Sequence, residues 1–247
     1  MVYIYPFVYI TFFSLNIFLG IKDIKKYVTM KKQLVLAFDI ERSGATSTYE
    51  TIAIGASVVD SNFKEQDRLF LSAYFPPKSD EPTLFEPRCW NQFWIHQQDI
   101  LKQLIYEGSL LKKERQKEMI VQFQAFRSKW ETYAKEHNMD YILVSDNPIY
   151  DGGFINEMIF QHLPDTLPIP YNACNGEYSS FLDTHSAIWG LFIKCTLAQK
   201  IKQIYSWIPS PKEEHDHRPD HDAFVIAYEQ QMLFLLRENS MSIQEQI

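Results

Sequence analysis

The sequence predicts an α/β domain: a central mixed sheet that opens with an antiparallel three-stranded meander and is flanked by helices. Three observations carry this expectation. Short apolar runs, separated by polar turns, fill the stretch from residue 34 to 75. Two segments with aromatic residues at helical spacing follow them. A further apolar run then comes before the remaining helical segments.

Leu34-Val35-Leu36-Ala37-Phe38 is a continuous apolar run, as expected of a buried strand, and it ends at Asp39-Ile40-Glu41 before a turn at Ser43-Gly44. Thr51 to Val59 is rich in β-branched residues and reads as the second strand, broken by Asp60-Ser61-Asn62. Leu69 to Phe75 reads as the third, closed by Pro76-Pro77. Arg88 to Ile105 carries Trp90, Phe93, Trp94 and Ile100 at helical spacing. Leu110 to His137 is a longer amphipathic helix with Ile120, Phe123, Phe126, Trp130 and Tyr133 on one stripe. Tyr141 to Val144 is a fourth strand, followed by a turn through Asn147-Pro148. Gly153 to Leu163 predicts a helix with Phe154, Ile155, Met158 and Ile159 inward. Residues 164–180 read as a Pro-rich loop, and Leu182 to Leu197 and Ala223 to Arg237 as helices.

The 247 residues suit one medium-sized domain with an appendage. The division falls between an apolar segment, 1–29, and a domain, 30–247, where Met30-Lys31-Lys32-Gln33 precedes the first strand. Residues 2–21 carry no charged side chain, and about 20 apolar residues can span a bilayer. Lys22, Lys25 and Lys26 would then hold the domain on the cytoplasmic side. Three readings stay open: a dispensable extension, a membrane anchor through 2–21, or a helix docked on the domain. A cleaved signal peptide fits poorly, for want of a basic n-region and a small-x-small site. The three cysteines (Cys89, Cys174, Cys195) form neither a CxxC pair nor an even framework, so a reducing, cytoplasmic compartment is expected.

A net charge of −7, from 24 Lys+Arg against 31 Asp+Glu, argues against a protein that coats nucleic acid by bulk electrostatics. It is compatible with an enzyme that holds a few nucleotides, because bound cations offset an acidic site. The basic run Lys112, Lys113, Arg115, Lys117, Arg127 and Lys129 reads as a solvated helix face.

The acids are the informative feature. Asp39 and Glu41 are two residues apart at a strand end, so both face one side of the strand. Asp151 lies just past the fourth strand, and Asp222 opens the last helix with His217 ahead of it. Four carboxylates at the mouths of buried elements repel one another unless they share cations or protons. Hard oxygen ligands in this number suit Mg²⁺ or Mn²⁺. Two such ions about 3.5–4 Å apart can hold a phosphodiester and activate a water, and a neighbouring histidine can take its proton.

These residues carry a resemblance. Phe38-Asp39-Ile40-Glu41-Arg42-Ser43-Gly44 resembles the first motif of the DEDD-superfamily exonucleases, D-x-E followed by small residues and Gly. Ser145-Asp146-Asn147-Pro148-Ile149-Tyr150-Asp151 is similar to the second, H-N-x-x-F-D. His217-Arg218-Pro219-Asp220-His221-Asp222-Ala223 is similar to the third, H-x-x-x-x-D-A, of the histidine subtype (DEDDh). The resemblance spans residues 33–238, and Arg88 to Trp94 resembles the ribonuclease T-like branch, in which a Trp-bearing helix follows the third strand.

The resemblance implies a ribonuclease H-like fold and a 3′–5′ exonuclease. It implies two divalent ions, Mg²⁺ or Mn²⁺, on Asp39, Glu41, Asp151 and Asp222, with His217 as general base. The implied partner is the 3′ end of a single-stranded nucleic acid, DNA or RNA, and the product is nucleoside 5′-monophosphates. Arg42 stands where a small hydroxyl residue is usual, so altered contacts to the terminal nucleotide are expected. Asp146 replaces the usual His, a change expected to be tolerated at a position outside the ligand set.

Each residue also has a plainer reading. A lone D-x-E is usually a solvated strand end, and Asp151 could be a helix N-cap. Residues 215–222 could be a polar loop or a transition-metal site. His185 reads as a polar surface or capping residue. Trp90, Phe93 and Trp94 fit a core stripe better than a base-stacking platform. The competing functions are a catalytically inactive nucleic-acid-binding or scaffolding protein of the same fold, and a membrane-tethered interaction protein. The oligomeric state stays open, a homodimer included. For the third motif two registers exist, His215 with Asp220 and His217 with Asp222. The apolar run Ala223 to Ala227 favours Asp222, because Asp220 would leave His221 and Asp222 where the helix begins to pack.

Overall fold

The computed structural model describes residues 32–76, 84–164, 180–183, 211 and 215–244. Five strands form one sheet: β1 Gln33–Arg42, β2 Thr51–Asp60, β3 Glu65–Ser72, β4 Asp140–Ser145 and β5 Ser180–Asp183, in the spatial order β3-β2-β1-β4-β5. β1, β2 and β3 are successive antiparallel neighbours, whereas β4 runs parallel to β1 and β5 parallel to β4. The sheet is therefore mixed, and β1 is its centre. Helix α1 (Pro87–Gln92), a 3₁₀ turn (Trp94–His96), α2 (Gln98–Gln103) and α3 (Lys112–Glu136) fill the crossover from β3 to β4. Helix α4 (Pro148–His162) follows β4, and α5 (Pro219–Gln244) is the last helix.

β1 is apolar without interruption because both of its faces are covered. Leu34, Leu36, Phe38 and Ile40 pack against Met119, Ile120 and Phe123 of α3 and Ile155 and Ile159 of α4. Val35 and Ala37 point the other way, against Ala223, Val225, Ile226 and Ala227 of α5. Strand alternation puts Asp39 and Glu41 in register with Val35 and Ala37, on the α5 side. A third cluster, with Ile52, Tyr74, Phe85, Trp94, Leu101 and Leu104, seats the short helices at the β2 end of the site.

Several elements differ from the sequence expectation. β3 begins at Glu65, four residues before Leu69, and Tyr74 makes only an isolated bridge to Ile105. The cause is a tight turn: Asp60 accepts from the amides of Asn62 and Lys64, and Phe63 takes a positive φ of 62°. Polar Glu65 to Arg68 is tolerated because β3 has β2 on one side only among the described strands. Arg88 to Ile105 is two short helices and a 3₁₀ turn, broken at Phe93 and Gln97, where the backbone leaves helical geometry. On α3, Tyr133 is exposed while Trp130 is buried. Nor is that basic run merely solvated: Arg115 and Arg127 are buried, and Lys112 and Lys129 pair with Glu50 and Asp67. α4 starts at Pro148, five residues ahead of Gly153, because Asn147 caps it and Pro148 suits the first helical position. Leu182 and Asp183 belong to β5 and not to a helix. The rest of that expected helix, the Pro-rich loop, His185 and residues 1–29 lie outside the described residues. Among the described residues no helix is long and apolar enough to cross a membrane.

Candidate active site

Three chain segments deliver acids to one end of the sheet. Asp39 and Glu41 come from the C-terminal end of β1, Asp151 from the first turn of α4 beyond β4, and Asp222 from the first turn of α5. Asp39 pairs across the sheet with Gly55 of β2. The absence of a side chain there is what lets α5 begin against the sheet: a β-carbon on Gly55 would collide with the Pro219 carbonyl and the Asp220 amide. Pro219 is the first residue of α5, a position where its missing N–H costs nothing, so it opens the helix and does not precede it in the loop.

The acids fall into two groups, each with ligand atoms within 4.8 Å of one another: Asp39, Asp146 and Asp151, and Glu41, His217 and Asp222. All five predicted site residues therefore meet here, and Asp146 joins them. Asp146 was expected to lie outside the ligand set, and its carboxylate stands beside those of Asp39 and Asp151. Its signal was in the sequence, as an acid five residues ahead of Asp151, but its direction was not. The turn from β4 into α4 brings a carboxylate oxygen of Asp146 within 4.8 Å of carboxylate oxygens of Asp39 and Asp151.

Burial raises the carboxyl pKa of Asp39 well above its ordinary value, and the charges of Asp151, Glu41, Asp146 and Asp222 raise it further. Glu41 is raised in the same way, by burial and then by Asp222, Asp151 and Asp146. Asp151, 2% exposed, is raised by burial and by Asp146, against hydrogen bonds from the Ser145 hydroxyl and the Asn147 backbone that favour its charged form. The Asn147 amide in turn donates to Ser145 Oγ at 3.0 Å, which fixes that hydroxyl on Asp151. Glu41 is 9% exposed and Asp39 partly buried. Carboxylates crowded together in this way repel one another, and a cation offsets that repulsion. The donors are oxygens apart from one imidazole, which fits Mg²⁺ or Mn²⁺.

The loop before α5 wraps Asp222. The Asp216 amide donates to Asp222 Oδ1 at 3.0 Å, and the Asp216 carboxylate accepts from the Arg218 amide and meets His221 Nδ1, both at 3.0 Å. His217 sits at the crest with φ 65°, a left-handed conformation rare for a residue with a side chain. Its Nδ1 lies 4.0 Å from Glu41 Oε1. The Phe93 ring meets its imidazole edge-on, centroids 4.7 Å apart. Geometry thus groups Asp222 with Glu41 and His217. Asp220 is instead buried beside β2, held by Arg218 at 2.8 Å and Arg68 at 3.8 Å. Arginine pairing is what lets a polar residue occupy that packed turn. His215 borders the site too, with Nδ1 3.4 Å from Asp222 Oδ1. Burial opposes its protonation, but the Asp222 hydrogen bond and the Asp222, Glu229 and Asp146 charges outweigh it and raise its pKa.

Arg42 does not extend into the site. It turns back onto residues 44–51, donating to the carbonyls of Gly44, Thr46 and Tyr49 and to Thr51 Oγ1, with its guanidinium over the Phe154 ring. The Arg42 side chain thus clamps the segment that follows β1. Trp94 is fully buried and donates from Nε1 to the Arg42 carbonyl at 2.9 Å, whereas Trp90 and Phe93 stay partly exposed, Phe93 against His217.

No family model and no curated protein matches the chain. Among solved structures it is similar to cell-death related nuclease 4 (CRN-4), at 13% sequence identity and a TM-score of 0.46. That match covers 85% of this chain, and the chain spans 64% of the length of that nuclease. A likeness so distant bears on neither chemistry nor residue roles.

Proposed function

We propose that this chain is a metal-dependent 3′–5′ exonuclease of single-stranded nucleic acid, of ribonuclease H-like fold, that releases nucleoside 5′-monophosphates. The observation that carries the reading is the meeting of Asp39, Glu41, Asp151 and Asp222 with His217 from three separate segments of chain. The three motif resemblances, in order along the sequence, supply the direction of attack.

Asp39, Glu41, Asp151 and Asp222 would hold two divalent cations. The chemistry such cations supply when bound is neutralisation of the phosphodiester charge and a lowered pKa for the attacking water. His217 takes the proton of that water. With Nδ1 turned toward Glu41, Nε2 is the nitrogen that accepts it, and the half-exposed ring returns it to solvent. The water oxygen bonds to phosphorus, the bond from phosphorus to the 3′ oxygen of the preceding nucleotide breaks, and that oxygen takes a proton from solvent water. Phe93 holds the imidazole by its edge contact. Ser145 and the wrapped loop at Asp216 keep two of the acids in fixed rotamers. Partial exposure of Phe93 leaves apolar surface beside His217 for an unpaired base.

The test is digestion of 5′-labelled single-stranded DNA and RNA by the full chain in Mg²⁺, in Mn²⁺ or in chelator. Expected is stepwise shortening from the 3′ end, with mononucleotide products, none of it in chelator and none on a 3′-phosphorylated strand. Undiminished hydrolysis in chelator, or equal cleavage of a circular strand, sinks the reading.

A further inference from the structure

We propose that Arg218 is a positioning residue for His217, tethering the loop that carries the imidazole to β3 through Asp220. The inference rests on the exonuclease reading above and adds a residue to it. The His217 ring has little of its own to hold it. Its Nδ1 is 4.0 Å from Glu41 Oε1, beyond hydrogen-bond reach, and the edge contact with Phe93 alone is a modest constraint. The backbone must therefore deliver the ring. That backbone is left-handed at His217, with φ 65°, a conformation that persists only where the surroundings over-determine it.

Its two neighbours in sequence make the bonds that do so. Ahead of His217 the Asp216 amide donates to Asp222 Oδ1, and behind it the Arg218 amide donates to Asp216 Oδ1, both at 3.0 Å. Those bonds close the turn and attach it to the start of α5. The Arg218 side chain reaches farther. Its Nε donates to Asp220 Oδ1 at 2.8 Å and its Nη2 to Oδ2 at 3.4 Å, a paired fork that fixes direction as well as distance. The same guanidinium lies over the Phe70 ring of β3, 4.9 Å from the centroid. Asp220 is 2% exposed and meets Arg68 of β3 at 3.8 Å, and Arg68 is itself forked onto Glu65 of that strand at 2.7 and 3.0 Å. The residue directly after His217 is thus bound to β3 twice, through a ring face and through a shared carboxylate. The plainer role for Arg218 is to neutralise buried Asp220, which would matter for stability and leave the imidazole where it is.

The experiment measures kcat and KM of the full chain on a labelled single strand in Mg²⁺, below the unfolding midpoint of each protein. Arg218→Met should lower kcat by about 10²-fold, what a misplacement of about 1 Å can cost, with KM unchanged. Combining it with Asp220→Asn removes the uncompensated charge, so stability should recover while kcat stays low. Combining it with His217→Ala should cost nothing beyond His217→Ala itself, because the effect passes through the imidazole. A readout independent of turnover is the NMR shift of the His217 ring protons, which the Phe93 ring perturbs in the unaltered protein and which should move in Arg218→Met. An unchanged kcat in Arg218→Met, recovery of kcat on adding Asp220→Asn, an equal loss with and without His217, or unmoved ring protons overturns the inference and leaves the exonuclease reading standing. Absence of hydrolysis by the unaltered protein overturns both. Should Arg218→Met fail to fold by circular dichroism, Arg218→Gln carries the same comparisons.

Discussion

Gly55 lies directly against the carbonyl of Pro219, with no room between them for a β-carbon. The pair decides where α5 starts, and so where Asp222 stands relative to Asp39 and Glu41.

Gly55→Ala should therefore act on the site as well as on stability. Overpacking of this kind costs about 1–3 kcal/mol, and moving the first turn of α5 should lower turnover beyond what that loss explains. Gly153→Ala is the control: its β-carbon meets nothing within 4 Å, and a helix interior gains about 0.5–1 kcal/mol from Ala in place of Gly. Denaturant unfolding and turnover measured side by side give the answer. Equal activity in both variants means the contact does not govern the site.

The two histidines separate by role. His217→Ala should lower turnover by about 10²–10⁴-fold, the usual contribution of a positioned general base, with Mn²⁺ affinity largely kept. His215 lies outside both ligand groups, with Nδ1 3.4 Å from Asp222 Oδ1, so His215→Ala should change turnover only slightly. Asp222→Ala should weaken metal binding more than Asp220→Ala, whose carboxylate is spent on Arg218 and Arg68. The reverse ranking would move the catalytic register to His215 and Asp220.

In chelator, stability should fall as pH rises. Asp39, Glu41 and Asp151 have folded pKa values raised above their ordinary ones of 3.8, 4.5 and 3.8. Between those values and the raised ones the folded state binds more protons than the unfolded, so each increment of pH removes stability. His215, also raised, acts with the same sign above pH 6.5. Asp39→Asn should raise the neutral-pH Tm of the apoprotein and flatten its decline between pH 5 and 8. A Tm that climbs with pH over that window contradicts the electrostatic picture of the site.

Metal should reverse that penalty. At a concentration about 100 times its Kd, a ligand bound only by the folded state adds about 2.7 kcal/mol. Mg²⁺ or Mn²⁺ should raise the Tm of the unaltered protein and have little effect on Asp39→Asn. The readout is thermal unfolding with and without cation, and equal shifts in both proteins would disprove binding at these acids.

Arg42→Met should loosen residues 43–50 without touching the chemistry. Carbonyls left without their donor cost about 1–3 kcal/mol where they stay buried. The expected outcome is a lower unfolding midpoint and an unchanged product pattern. A changed preference for the terminal nucleotide would instead put Arg42 in contact with substrate.

The sequence by itself determined β1, its two acids and their common face. An apolar run ending in alternating acids leaves one arrangement once both faces are buried, since strand side chains alternate with period two. It also favoured Asp222 over Asp220, because the helix that follows must present apolar residues to the sheet. Three things were decided only by tertiary structure. Gly55 looked like any small strand residue until α5 was laid across it, and Arg42 could have faced either way until the loop carbonyls claimed it. Asp146 was read from its position in a motif, whereas the approach of its carboxylate to Asp39 and Asp151 depends on how β4 turns into a helix capped by Asn147. The common reason is that spacing along a chain fixes which face of an element a side chain occupies. Contacts between residues remote in sequence, such as Gly55 with Pro219, exist only after the elements have packed.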